Sequence, residues 1–198
     1  MMAPVKLTTE LLLKGYRAGI FPMAINMRGD VAWFSPDPRA IIPLDERFHV
    51  SKSLRRTVRQ QRFEITMDRD FPEVIRACAK THGDTWISRE ILQAYSLLHA
   101  EGHAHSIETR LDGKLVGGLY GVHVGGAFFG ESMFHQATDA SKVALVALVE
   151  HLRKRGFVLL DTQWMTPHLE RFGTMLVSKG DYLKLLDGAV RMEVSWAD

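Results

Sequence analysis

The second half of the chain carries the pattern of a sheet with one long helix. Apolar and polar residues alternate along four segments, which we predict to be strands. These segments are His105 to Leu111, Leu115 to Val124, Ala127 to Phe134 and Phe157 to Trp164. Asp112-Gly113 predicts a hairpin between the first two strands. A helix is predicted from Asp139 to Arg155, where Gly156 ends it.

The first half predicts helices separated by a proline-rich segment. Helical spacing of apolar residues marks four helices, over Glu10 to Arg17, Ser51 to Arg62, Asp70 to Lys80 and Arg89 to Glu101. Thr8 or Thr9 is the expected N-cap of the first helix and Ser88 that of the last. Four prolines exclude a helix between residues 20 and 45, and a short helix is predicted near Thr166-Pro167.

These elements predict an α+β protein in two parts. Residues 1–82 are expected to form a small mixed N-terminal domain that carries a basic helix. Residues 83–198 are expected to form a catalytic domain, because the order strand–strand–strand–helix–strand–helix is typical of acyltransferases.

Composition narrows the class of protein without identifying it. The chain has 198 residues, a formal net charge of +2 and 46% hydrophobic residues, enough for a sizeable core. Cys78 is the single cysteine, so no intramolecular disulfide can form and a reducing compartment fits. Charged residues interrupt every long apolar run, so we expect a soluble cytoplasmic protein with no membrane partner.

The helix after Ser51 presents one basic face. Lys52, Arg55, Arg56 and Arg59 are spaced i, i+3, i+4 and i+7 and therefore line one side of a helix. Four like charges on one stripe suit a phosphate backbone, where each contact releases a counterion. A solvated helix face without a ligand is the alternative that the spacing leaves open.

One acid lies in an apolar strand. In the run Ala127 to Phe134, alternation places Phe129, Glu131 and Met133 on one face, so Glu131 projects among apolar groups. A carboxylate in such surroundings is costly unless it is paired or used in a reaction. The bland alternative is a buried salt bridge, with Lys142 or Arg171 as the partner.

A second strand carries an acid and an amide. Alternation places Leu159, Asp161 and Gln163 on one face. Asp161 can accept a proton and Gln163 can orient or polarise a carbonyl group. A strand end that caps a neighbouring turn would explain the same residues.

Other chemistry-bearing residues give weaker signals. His103 and His105 form a pair on one strand face, but no third ligand has a diagnostic spacing, so no metal site is predicted. Trp33, Phe34, Trp86 and Tyr95 lie near loops or helix starts and are either core residues or the walls of a pocket. The sequence contains no nucleophile elbow, Walker loop or dinucleotide fingerprint.

Taken together, these segments resemble the leucyl/phenylalanyl-tRNA–protein transferases. The matching runs include GIFPM (19–23), FSPDPRAIIPLD (34–45), FFGESMFHQATDASKVAL (128–145) and LLDTQWMTPHLERFG (159–173). The family transfers Leu, Phe or sometimes Met from aminoacyl-tRNA to proteins that begin with Arg or Lys, which marks them for degradation. The resemblance implies a GNAT-like catalytic domain, no cofactor and a monomer.

The resemblance also implies roles for particular residues. Asp161 and Gln163 match the catalytic pair, and Glu131 matches the acid beside them. Five residues match positions around the pocket for the aminoacyl side chain and the terminal adenosine, namely Trp33, Trp86, Tyr95, Leu119 and Met133. The basic helix matches the tRNA-binding helix of the family.

The chain departs from the family pattern in two places. Leu119 stands where some members have Met, which should keep the pocket apolar. The run Thr174 to Asp181 lacks the usual motif, so no element is predicted there.

Two other functions compete with the family's activity. A CoA-dependent N-acetyltransferase would have a glycine-rich loop before the long helix, but there is no glycine from Phe134 to Lys142. A non-catalytic RNA-binding module would explain the basic helix but not the acids.

Overall fold

The computed structural model describes residues 7–26, 28–81 and 85–197. Within these ranges the chain forms seven helices and nine strands. The helices are α1 (Thr9–Arg17), α2 (Lys52–Arg59), α3 (Phe71–Thr81), α4 (Arg89–Ala100), α5 (Ala140–Arg155), α6 (Pro167–Glu170) and α7 (Lys179–Val190). The strands are β1 (Phe21–Ala24), β2 (Val31–Phe34), β3 (Arg39–Ile42), β4 (Glu64–Met67), β5 (Ala104–Leu111), β6 (Lys114–Val124), β7 (Ala127–His135), β8 (Leu159–Gln163) and β9 (Met175–Val177).

Seven of the strands form one twisted sheet. Its order is β4-β5-β6-β7-β8-β3-β9, and β1 and β2 form a separate hairpin. The β7–β8 pair is parallel and the other pairs of the large sheet are antiparallel. A parallel pair needs a long crossover, and α5 supplies it.

Helices cover both faces of the sheet and bury two apolar cores. One core joins α1, α3, α4 and α7 to one face and includes Tyr16, Tyr95 and Phe129. The other core joins α2 and α5 to the opposite face and includes Leu54 and Leu148. Helix α5 is buried over most of its first ten residues, as a crossover helix packed on a sheet must be, and its last two turns are more exposed.

The turn and cap residues act as the sequence predicts. Thr8 and Ser88, the predicted N-caps, each accept a hydrogen bond from a backbone N–H in the first turn of α1 and α4. Ser51, predicted as the first residue of its helix, is the N-cap of α2. Asp112 and Gly113 both have positive φ, which a tight hairpin between β5 and β6 requires. The predicted strands and long helices of the second half are confirmed with ends shifted by a few residues.

Six elements were not predicted individually from the sequence. Strands β1, β2 and β3 lie in the proline-rich segment, for which only a helix was excluded. Strand β4 is an edge strand with no buried residue, and β9 has three residues. Helix α7 lies in and after the atypical segment Thr174 to Asp181. The large sheet extends across the predicted domain boundary at residue 82. Strands β3 and β4 precede this residue, and the other five strands of the sheet follow it. None of the described helices is both long enough and apolar enough to cross a membrane.

Candidate active site

The sheet opens where its parallel pair ends. Strands β7 and β8 pair from Ala127 with Leu159 to Phe129 with Asp161, and the ladder stops there. Beyond this point each strand has an irregular register against its other neighbour. The two strands separate, and a cavity of about 470 Å³ lies between their ends. Its size is typical of small-molecule pockets.

A bulge in β7 determines where Glu131 points. Tyr120 pairs with Ser132 and Gly121 with Gly130, so Glu131 is the additional residue of the bulge. Regular alternation would have kept Phe129 and Met133 on one face. The bulge instead places Phe129 in one core and Met133 against the other, which corrects the predicted alternation.

The inner wall of the cavity is apolar. Leu119, Leu145, Leu148 and Leu160 line it and are almost fully buried, and Met133 lies beside them. All five belong to or pack against the core formed with α5. This part of the cavity can hold an unbranched or γ-branched apolar side chain.

Glu131 lines the cavity and two buried tyrosines hold it. Tyr16 Oη donates to Glu131 Oε1 at 2.7 Å, and Tyr95 Oη donates to Oε2 at 3.4 Å. The two tyrosine hydroxyls also lie within hydrogen-bonding distance of each other, so either can donate to the other instead of to Glu131. Burial raises the pKa of Glu131 to about 8, with nearby Asp161 contributing and the tyrosine hydrogen bonds opposing.

No cation pairs with Glu131 in the described part of the chain. Lys142 binds Asp139 instead, at 2.7 Å, and Arg171 forms no salt bridge with Glu131. The buried salt bridge considered from the sequence is therefore wrong. Glu131 is also the single carboxylate among the described residues that line the cavity.

Asp161 lies behind the cavity and has no contact with it. Its side chain is fully buried, and Arg39 donates to both carboxylate oxygens, with Nη2 to Oδ2 at 2.7 Å. Tyr182 Oη donates to Oδ2 at 2.7 Å, and the backbone N–H of Gln163 donates to Oδ1 at 2.9 Å. The Arg39 guanidinium also lies over the Tyr182 ring. Every face of this carboxylate is therefore occupied by protein.

Gln163 sits at a strained turn that faces the cavity. Its φ is 59°, and Trp164 N–H donates to Thr162 O at 2.6 Å across it. A turn of three residues centred on a positive φ is rare for a side chain with a Cβ, and strain of this kind gathers at functional sites. The Gln163 side chain donates from Nε2 to Glu131 Oε1 at 3.4 Å.

The structure separates Asp161 and Gln163, which the sequence placed on one face. Ile41 pairs with Asp161 and Ala40 with Gln163, so Thr162 is an additional residue in β8. Gln163 consequently lines the cavity, whereas Asp161 does not. The two residues are joined by the hydrogen bond from the Gln163 backbone N–H to the Asp161 carboxylate, and their side chains do not face the same space.

Three of the five predicted pocket residues line the cavity, and two do not. Trp86, Leu119 and Met133 line the cavity. Tyr95 is buried beneath Glu131 and supports it. Trp33 packs against Gly15, where a Cβ would lie 2.2 Å from the indole, and is not a lining residue.

Sequence reasoning missed several residues of the site. Arg39 and Tyr182 bind Asp161, Tyr16 binds Glu131, and Trp164 lines the cavity. The sequence analysis included Arg39 only within the matching run of residues 34–45 and gave it no role. Tyr182 lies on helix α7, which was not predicted. No local spacing relates residues more than 100 positions apart, as Arg39 and Asp161 are.

The four cations of the basic helix α2 lie on the surface. Lys52, Arg55, Arg56 and Arg59 are exposed, and within the described ranges none of them forms a salt bridge. Leu54 is buried and anchors the helix on the core that also contains α5. Unpaired cations on a firmly packed helix are the arrangement that polyanion binding requires.

His105 of β5 and His123 of β6 make hydrogen bonds within the protein. His105 binds Asp68 through Nδ1 at 2.7 Å and His123 through Nε2 at 3.0 Å. Burial lowers the pKa of His123 to about 4, and His105 contributes. Among the described residues no group of three or more metal-ligating side chains is found.

The fold has a counterpart among solved structures. The structure of FemX aligns with a TM-score of 0.55 and 11% identity over 89% of this chain and 68% of that chain. This likeness concerns the fold alone, and it confirms the predicted GNAT-like α+β fold class.

The sequence comparisons identify the family. The model of the leucyl/phenylalanyl-tRNA protein transferases matches residues 41–187, and that of their N-terminal domain matches residues 6–37. The leucyl/phenylalanyl-tRNA–protein transferase of Herpetosiphon aurantiacus is 54% identical over 191 residues, which cover 96% of this chain and 98% of that protein. The protein of the same name from Akkermansia muciniphila is 53% identical, covering 93% and 97%. The chain belongs to this family and is a transferase.

Proposed function

We propose that this protein transfers Leu, Phe or Met from aminoacyl-tRNA to the N-terminal Arg or Lys of acceptor proteins. It acts as a monomer in the cytoplasm, and the product is marked for degradation. The observation that carries the proposal is the cavity itself, an apolar pocket in which Glu131, with its raised pKa, is the single acid among the described lining residues. No covalent intermediate is needed, because the ester of the donor is already activated.

The apolar wall receives the amino-acid side chain of the donor. Leu119, Leu145 and Leu148 form a buried surface that favours Leu, Phe or Met over polar side chains. A β-branched side chain would fit less well, but a methyl-sized difference gives only about 1–3 kcal/mol of discrimination. The wall therefore selects a class of side chain.

Glu131 is the group best placed to take a proton from the acceptor amine. An α-amine has an ordinary pKa of about 7.7–8.0, close to the value of about 8 for Glu131. Groups with matched pKa values exchange a proton at little cost. The nitrogen then attacks the ester carbonyl, and Glu131 gives the proton it has taken to the ribose oxygen as the carbon–oxygen bond breaks. The nitrogen loses its second proton to the Glu131 carboxylate, which releases it to solvent.

Gln163 and Asp161 position this reaction. The Gln163 amide contacts Glu131 and reaches the space where the two substrates meet. Asp161 holds the backbone of Gln163 in its strained turn and is itself held by Arg39 and Tyr182. The sequence assigned proton transfer to Asp161, but its enclosure favours a positioning role, with Glu131 as the catalytic acid and base.

Charge accounts for the binding of the tRNA and for the preference for a basic acceptor end. The exposed cations of α2 provide a surface for the tRNA backbone. Glu131 is negative once it has lost its proton, so the cavity then attracts an acceptor end that carries the positive charge of Arg or Lys.

The proposal is tested by transfer of labelled Leu from charged tRNA to a peptide that begins with Arg. The same peptide beginning with Asp is the matched acceptor control, and Asp-tRNA is the donor control. Transfer only with Leu-tRNA and the Arg peptide supports the proposal. No transfer, or acetylation of the peptide with acetyl-CoA, would contradict it.

A further inference from the structure

Trp164 is a large exposed aromatic residue at the entrance of the cavity. Its side chain lines the cavity, yet the residue is 42% exposed. Phe21 packs against it in an edge-to-face contact, with ring centroids 5.1 Å apart and planes at 86°. Phe34 makes a second contact, at 6.3 Å. Two aromatic neighbours therefore anchor the indole, and the residue remains partly exposed beside Gln163 at the cavity.

The strained turn directs Trp164 to this position. The positive φ of Gln163 reverses the chain within three residues, so Gln163 and Trp164 both line the cavity, although they are consecutive. In an extended strand they would point to opposite faces. The same turn thus places the amide near Glu131 and the indole at the entrance.

We propose that Trp164 stacks on the base of the terminal nucleotide that carries the transferred amino acid. This inference rests on the proposed function, because it takes an aminoacyl ester of a nucleoside as the donor. It adds a substrate-binding residue that the pocket residues predicted from the sequence do not include.

The connectivity of the donor places its base near Trp164. The ester carbonyl must lie by Glu131 and Gln163 for the amine to attack it. The base is attached to the same ribose and cannot lie further away than that sugar allows. Trp164 is the next residue after Gln163, and consecutive Cα atoms are about 3.8 Å apart. An indole reaching outward from this position meets the base and not the amino-acid side chain.

The division of the cavity supports the same assignment. The buried leucines of the inner wall already provide the apolar surface that the amino-acid side chain needs. A partly exposed indole at the entrance would gain little from an aliphatic group that is already enclosed. A base stacked on an aromatic side chain contributes about 1–3 kcal/mol, and single-stranded nucleotides are bound in this way.

The test compares two inhibitors that differ only in the base. One is leucine joined through an amide to 3′-amino-3′-deoxyadenosine, and the other is the same leucyl amino sugar without the base. Both are measured as inhibitors of Leu transfer by the full-length protein. The variants are Trp164→Leu, Trp164→Phe and the control Leu176→Ala, an exposed apolar residue of β9 outside the cavity.

We expect Trp164→Leu to weaken the adenosine compound by about 5- to 100-fold, the range that base stacking provides. It should leave the base-free compound unchanged. Trp164→Phe should retain most of the affinity, and Leu176→Ala should resemble wild type. Equal weakening of both compounds, or of neither, would overturn the inference while leaving the proposed function intact. A wild-type protein that transfers no Leu would instead overturn the proposed function.

Discussion

Asp161 acts on the cavity through the backbone of Gln163. Its Oδ1 accepts the Gln163 N–H at 2.9 Å, and this contact holds the residue at a φ of 59°. The carboxylate is in turn enclosed by Arg39 and Tyr182. The acid that the sequence motif makes prominent is therefore enclosed by protein, whereas Glu131 lines the cavity and is the acid that meets the substrates under the proposed function.

Replacing Asp161 by Asn should damage both stability and turnover. The change leaves Arg39 as a buried cation without its partner, which costs about 3–5 kcal/mol. The released turn should misplace Gln163, so kcat should fall while KM for Leu-tRNA changes little. Urea unfolding and steady-state kinetics below the unfolding temperature measure the two effects. An Asn variant with wild-type kcat would exclude the positioning role.

Glu131 should make stability depend on pH. The unfolded chain ionises this carboxyl near 4.5, whereas the folded protein keeps the proton to about pH 8. The stability it contributes is complete below about pH 4.5 and is lost as the pH rises to about 8, by up to about 1.4 kcal/mol per pH unit. Glu131→Gln cannot titrate, so its free energy of unfolding should fall less steeply between pH 5 and 8. Parallel slopes in the two proteins would contradict the raised pKa.

Charge removal on α2 should weaken tRNA binding in a salt-dependent way. Each lost phosphate contact reduces the slope of log K against log salt by about 0.7–0.9. Arg55→Gln/Arg56→Gln should therefore raise the Kd for Leu-tRNA and flatten this slope by nearly twice that amount. Lys114→Gln, an exposed cation at the β5–β6 turn, is the control and should leave both unchanged. A slope unaffected by the double change would place the tRNA elsewhere.

Enlarging the cavity should change the preferred donor. Leu119 is almost fully buried and pairs with Met133 across β6 and β7. Leu119→Ala leaves space for a larger side chain, so kcat/KM for Phe-tRNA relative to Leu-tRNA should rise, by about tenfold for 1.4 kcal/mol of differential binding. Competition between the two charged tRNAs measures the ratio directly. An unchanged ratio would show that this wall does not contact the transferred side chain.

The regular elements could be predicted because their signals are local. The caps at Thr8 and Ser88, the Asp112-Gly113 turn and the end of α5 at Gly156 each depend on neighbouring residues. Strand β4 was missed because it lies at the edge of the sheet and its side chains are mostly exposed. Helix α7 was missed because its segment departs from the family pattern.

The site could be predicted only in part. The motifs identified Glu131, Gln163 and Asp161, but strict alternation placed them wrongly. The bulges at Glu131 and Thr162 depend on the pairing partners of β7 and β8, and no pattern within one strand contains that information. The supporting contacts of Tyr16, Arg39 and Tyr182 join distant parts of the chain. They could be found only from the fold.

The pH dependence of transfer tests the role of Glu131 most directly. The measurement is kcat/KM for an Arg-starting peptide from pH 6 to 9.5 in wild type and Glu131→Gln, corrected for ester hydrolysis without enzyme. Glu131 and the amine must share one proton, so the wild-type profile should be a bell with its maximum near pH 8. Glu131→Gln should be about 10²-fold slower or worse at that pH, and its rate should rise with pH to a plateau as the free amine forms. Profiles of the same shape in both proteins would contradict the account.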